Sequence, residues 1–346
     1  MIEEKTYTSF TEELCGKIKG MYPLSAQIEL TYRCNLKCIH CYCIGCGTKE
    51  ELTAVEWKGI LDQLHAAGTI NLTITGGEPF LRDDLLDIYD YAKKKGFLIT
   101  LFTNGILLDN NVMDHLVEEP PYSIEVSLNG ITKKTYEAIS GVEGSFEKAM
   151  MNIKKIVKKK LPLSLKAVGL KQNKNEINDI KRFAEELCGK KKFKFDSFIT
   201  PRLDCNTTPC LYRLSPEEIL KIEKSDPDMR KQREKQFKNR GSFLREPEYK
   251  YHCNAWFRQF YITPSGRLKF CHMTDKYSTD LKNVSFEKGF YEGFPLILEE
   301  KYISDSKCIN CRLREYCYHC PARAYLETGN EETPVPYYCE LAQATK

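Results

Sequence analysis

From Ser25 to about residue 200, short apolar runs alternate with stretches whose apolar residues recur every three or four positions. The runs "SAQIELTY" (25–32), "INLTIT" (70–75), "FLITLFT" (97–103), "YSIEVSL" (122–128), "PLSLKAVGL" (162–170) and "FKFDSFIT" (193–200) read as strands. Between them, "LTAVEWKGILDQLHAAG", "DLLDIYDYAKKKG", residues 145–159 and "NEINDIKRFAEELCG" read as amphipathic helices. Thr53 and Glu56 form a capping box at the first helix, and Gly68 and Gly96 stop the first two. Strands alternating with helices imply βαβ crossovers and a parallel sheet, and the Ile, Leu, Phe and Val content suits a sheet covered by helices. Periodicity leaves two closures open, a doubly wound sheet or a barrel. In both, functional groups gather at the carboxyl ends of the strands.

Beyond residue 200 the pattern changes. Residues 213–250 are polar and charged, which reads as helix and connecting loop. "RQFYITPSGRLKFC" (258–271) reads as a β-hairpin turning at Pro264-Ser265-Gly266. Residues 272–346 are loop-rich, with little apolar core of their own and closely spaced cysteines, so metal clusters are the candidates to hold them together. The expected division is an N-terminal extension (1–23), an α/β unit (24–212), a helical linker (213–252) and a cysteine-rich unit (253–346).

Composition narrows the function. With 42% hydrophobic and 29% charged residues in 346, this is an ordinary globular chain. The net charge of +4, from 52 basic and 48 acidic residues, gives no reason to expect nucleic acid. Lysine and arginine cluster at 154–160, 190–195 and 230–240, as solvated faces or as docking surface for an acidic peptide or RNA. The N-terminus lacks a signal-peptide pattern, and no apolar run approaches the ~20 residues of a membrane helix. A cytoplasmic location with no membrane partner is expected. Sixteen cysteines in such a reducing compartment point to metal ligation or catalysis rather than to disulfides.

Cys34, Cys38 and Cys41 are spaced C-x3-C-x2-C just after the first strand. A 4Fe–4S cluster takes four thiolates, so three on one loop can wrap a cube and leave one iron open. Zinc competes, because Cys43 and Cys46 make a C-x2-C pair. At the end of the second strand stands "TGGEP" (75–79). Gly76 and Gly77 let the backbone approach a ligand closely, where carbonyls and Glu78 can meet an ammonium group.

The C-x3-C-x2-C loop with His40 before its last cysteine, followed by GGEP on a six-strand βα run, resembles the radical S-adenosylmethionine (SAM) superfamily over roughly residues 20–200. The resemblance implies a partial (β/α)6 TIM-like barrel within an α/β fold. It implies that Cys34, Cys38 and Cys41 ligate a 4Fe–4S cluster whose open iron takes the amino and carboxylate groups of S-adenosylmethionine. Glu78 with the Gly76–Gly77 backbone would bind the amino group, Ser127 the ribose or carboxylate, and Lys166 the carboxylate. Thr103 and Asn104 lie at the same end, Ile199 would pack on adenine, and His40 would lie beside cluster and adenine. Asn129 stands where many relatives carry Asp.

The C-terminal cysteines resemble the SPASM extension, which carries seven cysteines and two auxiliary 4Fe–4S clusters. Here two residues, "YH", separate Cys317 from Cys320, where three are usual. Carried over by position, Cys308, Cys311, Cys317 and Cys339 would ligate a distal cluster, and Cys253, Cys271 and Cys320 a nearer one that lacks a fourth ligand. A small loop-rich iron–sulfur domain and three clusters in all are therefore implied. Of the six remaining cysteines, Cys15 and Cys188 read as buried thiols. Cys43 and Cys46 read as loop thiols near the cluster, and Cys205 and Cys210, on the substrate face, as spare thiols, ligands to the open auxiliary cluster or participants in catalysis.

SPASM relatives mostly modify peptides. The resemblance thus implies a maturase forming a thioether or carbon–carbon crosslink, or an epimer, in a ribosomally made peptide, fed by an external low-potential donor of flavodoxin or ferredoxin type. Only about 24 residues precede the first strand, so leader recognition calls for a separate peptide-recognition protein or for the basic surface. The alternatives are sulfatase-maturase-like formylglycine formation, small-molecule radical chemistry, and a non-catalytic electron carrier, in which GGEP would have no purpose.

Overall fold

The computed structural model describes residues 20–43, 50–241, 244–253 and 258–346. Cys15 and Cys46 lie outside them. The first six strands are β1 (Ser25–Glu29), β2 (Asn71–Thr75), β3 (Leu98–Thr103), β4 (Ser123–Ser127), β5 (Leu163–Val168) and β6 (Phe193–Asp196). All neighbouring pairs are parallel, and the spatial order β6-β5-β4-β3-β2-β1 follows the chain without reversal. A doubly wound sheet would reverse its order at a switch point. Continuous winding is the wall of a partial barrel, which settles the choice that periodicity left open.

The helices on this wall are α1 (Ala54–Ala66), α2 (Leu85–Lys94), α3 (Asn110–Glu118), α4 (Lys133–Ser140), α5 (Ser145–Lys158) and α6 (Ile177–Cys188). The Thr53–Glu56 capping box is formed in both directions, and Gly68 and Gly96 adopt φ of +83° and +86° at the helix stops. Trp57, Leu61 and Leu64 of α1 pack with Ile28, Leu72, Ile74, Ile99 and Leu101 of the sheet in one core. Each such side chain contributes roughly 1.5–3 kcal/mol on burial. The short α3 is a helix the apolar pattern did not predict: it buries only Met113 and Leu116, and is started by Asp109, whose carboxylate accepts from the Val112 amide.

The C-terminal part follows α7 (Pro216–Ser225) and α8 (Pro227–Gly241). The expected hairpin is present as β7 (Gln259–Ile262) and β8 (Arg267–Lys269), paired antiparallel and turning through Gly266 at φ +83°. It does more than the sequence indicated: β7 pairs in parallel with β1, in register from Ser25↔Gln259 to Ile28↔Ile262. With β9 (Thr279–Asp280) the sheet runs to nine strands, in the order β6-β5-β4-β3-β2-β1-β7-β8-β9. Phe260 is fully buried against Phe286 and Phe290, ring centres 4.8 and 5.8 Å away, in the same core as the barrel. The helices α9 (Pro321–Thr328) and α10 (Pro336–Thr345) carry or adjoin the last cysteines. No described helix is long and apolar enough to cross a membrane.

Candidate active site

The carboxyl ends of the barrel strands surround a cavity of about 420 Å³. Cys34, Cys38, Cys41 and His40 line it from the β1 loop, Gly76 and Gly77 from β2, Thr103 and Asn104 from β3, Ser127 from β4, Lys166 from β5, and Ile199 from beyond β6. Every sequence-predicted residue of the barrel site except Glu78 is thus a wall residue of one chamber.

The cysteine loop is held by backbone bonds from Lys37 N to Ser140 O (2.8 Å) and from Ile39 N to Ile139 O (3.0 Å). Its other side is pinned to the GGEP loop, where Gly77 N donates to Thr31 O (2.7 Å) and Glu78 N to Arg33 O (2.8 Å). This close approach needs the two glycines. A β-carbon on Gly76 would lie 2.3 Å from Thr31 O, and one on Gly77 would lie 2.2 Å from Arg33 O. Gly76 also has φ of +149°.

Glu78 is turned away from the cavity and fully buried. Its carboxylate accepts from Thr103 Oγ1 (2.8 Å), Asn104 N (2.8 Å) and Phe80 N (3.3 Å). Burial raises its pKa to about 7 against these bonds. The side chain therefore couples the β2 loop to the β3 loop, and the ligand-facing groups of GGEP are its backbone. Arg82, outside any predicted motif, ties the β2 loop to the two ends of the β1–α1 connection by donating to Leu30 O (3.1 Å) and Leu52 O (2.9 Å).

Lys166 is also committed. Its Nζ lies 3.4 Å from Glu125 Oε2 and 3.4 Å from the ring centre of Phe102. Burial lowers its pKa, partly offset by Glu125. Asn129 accepts the Val168 amide at 2.9 Å, joining the tops of β4 and β5. His40 is pushed to about 4 by burial, so its ring is neutral, and its Nδ1 has no hydrogen-bond partner. Cys43, left without a role by its spacing, is buried in the cavity wall with its Sγ 3.4 Å from Cys41 Sγ.

The three loop thiols suit an iron cluster chemically. Burial and then the charges of Cys41 and Cys34 push Cys38 up to about 12, and burial raises Cys34. Such thiols stay protonated unless a cation compensates them, as ligation to iron does. Of the C-terminal cysteines, Cys308, Cys311, Cys317 and Cys339 line a second cavity of about 200 Å³. Cys271 is raised by burial and then by the thiols of Cys320 and Cys253, which lie within electrostatic range of it. Among the described residues no three His, Cys, Asp or Glu side chains converge on a single-ion site. Cys205 is exposed, Cys210 lies beside Arg213 and Glu327, and Cys188 packs on the core; none of the three lines the main cavity.

The cavity has a wall that no motif indicated. Gln27 and Asp196 come from the barrel, and Tyr261, His272 and Arg323 from the C-terminal part. Beneath it, buried Glu29 accepts from Tyr42 (2.8 Å) and Tyr32 (3.2 Å). The nearest available signal was adjacency: His272 follows Cys271, and Arg323 lies one helical turn after Cys320.

Residues 28–184 match the family model described as Radical SAM superfamily. The AdoMet-dependent heme synthase of Methanosarcina barkeri is 25% identical over 331 residues, covering 89% of this chain and 94% of that protein. A PqqA peptide cyclase of Rhizobium meliloti is 32% identical over 167 residues, covering 48% of this chain and 44% of the cyclase. The chain thus spans under half of that cyclase's length. Among solved structures, Streptococcus suis SuiB bound to S-adenosylmethionine superposes with a TM-score of 0.71 at 18% identity, covering 96% of this chain and 80% of SuiB. Residues 28–184 of this chain are thus similar to a Radical SAM domain.

Proposed function

We propose that the protein cleaves S-adenosylmethionine reductively and uses the product to take a hydrogen atom from a peptide substrate, installing a thioether or carbon–carbon crosslink or an epimer. One observation carries this reading: the cysteine triplet, the GGEP backbone, Ser127, Lys166 and Ile199 line a single chamber of about 420 Å³. When bound, a 4Fe–4S cluster supplies the low-potential electron that splits the sulfonium into methionine and a 5′-deoxyadenosyl radical. Cys34, Cys38 and Cys41 would hold that cluster. The GGEP backbone and Ser127 would orient the methionine and ribose ends, and Ile199 would pack against adenine. The residues from β6 and the C-terminal wall would position the substrate carbon and exclude water. Cys308, Cys311, Cys317 and Cys339 would hold one auxiliary cluster, and Cys253, Cys271 and Cys320 the other. We place the enzyme in the cytoplasm, served by a flavodoxin- or ferredoxin-type donor and by a separate peptide-recognition protein.

The peptide class is supported by relatives whose names describe peptide maturation, among them the PqqA peptide cyclase. SuiB, also solved with the precursor peptide SuiA, shares the fold. The test is anaerobic reconstitution with iron and sulfide, then assay of 5′-deoxyadenosine with dithionite. The wild type should form it, and a Cys34→Ala, Cys38→Ala, Cys41→Ala variant should not, while keeping about eight of twelve irons. Loss of all iron in that variant would overturn the C-terminal cluster assignment. Mass spectrometry of a short precursor peptide encoded beside the gene then reads the reaction: a pair of hydrogen atoms lost for a crosslink, no change for an epimer.

A second reading, carboxylate-bearing tetrapyrrole as substrate, is favoured by one observation. The heme synthase of Methanosarcina barkeri aligns with nearly the whole of this chain, including its C-terminal part. Conversion of an iron coproporphyrin, followed by absorbance and mass, would establish it in place of the peptide.

A further inference from the structure

The C-terminal wall of the main cavity contains a cation that no carboxylate pairs among the described residues. Arg323 lines the chamber from α9. Its guanidinium carbon lies 5.3 Å from the ring centre of Phe198 and 5.7 Å from that of Tyr338. Nη1 donates to Tyr318 O at 3.5 Å, and the buried Nε has no partner. Among the described residues, no carboxylate stands within ion-pair distance of it. Tyr338, Cys320, Asp196 and Cys271 are near enough to act on its charge, but none is a carboxylate free to pair with it, since Asp196 Oδ1 is already taken by the Phe198 amide at 2.9 Å.

The neighbouring cations differ. Arg213 makes a two-pronged pair with Glu327 at 2.8 and 2.7 Å, and Lys166 is held by Glu125. Those two already have a carboxylate partner. An enclosed arginine stacked on aromatic rings, with donor capacity left over, is built to receive a planar anion from the cavity. His272 stands within range of its charge, between Tyr42 and Tyr261, ring centres 5.2 and 5.3 Å away. Its Nδ1 is a second buried polar atom without a partner. Two unused polar groups in one wall are costly unless a ligand satisfies them.

We propose that Arg323 and His272 form a carboxylate subsite that fixes an acidic group of the substrate in the chamber holding the cysteine triplet. The inference rests on reading that chamber as the substrate site and adds the chemical class of what enters it. The group is a carboxylate in either case; an acidic peptide side chain and a tetrapyrrole propionate are its two sources.

The test uses reconstituted holoenzyme with S-adenosylmethionine bound and paired probes: acetyl-Ala-Glu-Ala-amide against acetyl-Ala-Gln-Ala-amide, and iron coproporphyrin against its tetramethyl ester. Affinities are compared in wild type, Arg323→Gln and Arg323→Lys. The subsite predicts that wild type prefers one acidic probe over its neutral partner by about tenfold or more, that Arg323→Gln abolishes the preference, and that Arg323→Lys restores part of it. Preference within the peptide pair identifies the source as peptide. Preference confined to the porphyrin pair upholds the subsite and overturns the peptide reading. Equal binding, or no binding, of both members of both pairs overturns the subsite. So does a Arg323→Gln variant with weakened S-adenosylmethionine affinity or an altered electron-paramagnetic signal of the reduced clusters, either of which would give Arg323 to the cofactor. Formation of 5′-deoxyadenosine by wild type without substrate is measured separately, and its absence would sink the radical reading alone.

Discussion

Gly77→Ala should uncouple cluster binding from S-adenosylmethionine cleavage. The added β-carbon would lie 2.2 Å from Arg33 O, 2.7 Å from Arg33 C and 2.8 Å from Tyr32 O. An ordinary carbon–oxygen approach is about 3.3 Å, so the backbone just before Cys34 must retreat by about 1 Å. It cannot slide freely, because the bonds Gly77 N–Thr31 O and Glu78 N–Arg33 O tie the same two segments. Overpacking of this kind costs roughly 1–3 kcal/mol of stability. A misplacement of about 1 Å at a reacting centre costs on the order of 10²-fold in rate, or about 2.7 kcal/mol. The three thiols share one loop and move together, so iron content should stay at the wild-type value while 5′-deoxyadenosine formation falls about a hundredfold. Gly59→Ala is the control: its β-carbon meets nothing within 4 Å in the middle of α1, so it should add about 0.5–1 kcal/mol of stability and leave the rate alone. A Gly77→Ala enzyme with the wild-type rate and melting temperature would refute the claim that the two loops are mutually positioned.

Four other outcomes follow from the same geometry. Lys250 Nζ lies 2.9, 3.3 and 3.5 Å from Glu300, Glu331 and Glu332; Lys276 still pairs with the first two in its absence, so Lys250→Met strands mainly buried Glu332 and should cost about 1–3 kcal/mol in thermal or denaturant melts. Burial alone would raise Glu300, but bonds from Tyr277, Lys276 and Lys250 bring it down to about 2. Its stabilisation is therefore full above its unfolded value near 4.5 and is lost as pH falls from there to about 2; melts between pH 5 and 2 should show a shallower acid loss in Glu300→Gln. Cys43→Ala should leave iron content unchanged, because Cys43 touches Cys41 without belonging to the triplet; a loss of about four irons would make it a ligand. Truncation after residue 252 should give insoluble protein, since it bares the β1 edge and the core face that Phe260 covers; a soluble, cluster-loaded fragment would contradict the shared sheet.

What the sequence made legible was local. The Thr53–Glu56 box and the Gly266 turn each depend on residues a few positions apart, and each stands in the structure as read; the three closely spaced cysteines of the β1 loop line one cavity. The strand ends were less legible, because pairing stops where a side chain intervenes. The run 193–200 looked like one strand, yet the sheet ends at Asp196, whose carboxylate takes the Phe198 amide and turns Ile199 into the cavity. Glu78 shows the same limit: its motif located it, but only the fold shows that Thr103 and Asn104 occupy its carboxylate. The β7–β1 pairing joins segments more than 230 positions apart, and alternating apolar residues carry no label for their partner. Arg323 and His272 gave no signal beyond their distance from a cysteine, since an arginine's purpose lies in what it pairs with.

The shared sheet explains how side chains from both ends of the chain come to line one chamber. β1 delivers the Cys34 loop at its carboxyl end, and β7 runs parallel beside it, so both strands point the same way. The hairpin then turns back, and β8 ends at Lys269, two residues before Cys271. Tyr261 on β7 lines the cavity next to Gln27 on β1, its register partner. The C-terminal part therefore continues the barrel wall and supplies the side of the chamber that six strands leave open. Such a wall fixes the Cys271 region relative to the Cys34 loop through backbone hydrogen bonds rather than through a linker. That is the rigidity needed if a substrate held at Arg323 is to present one particular hydrogen to a radical formed at the triplet.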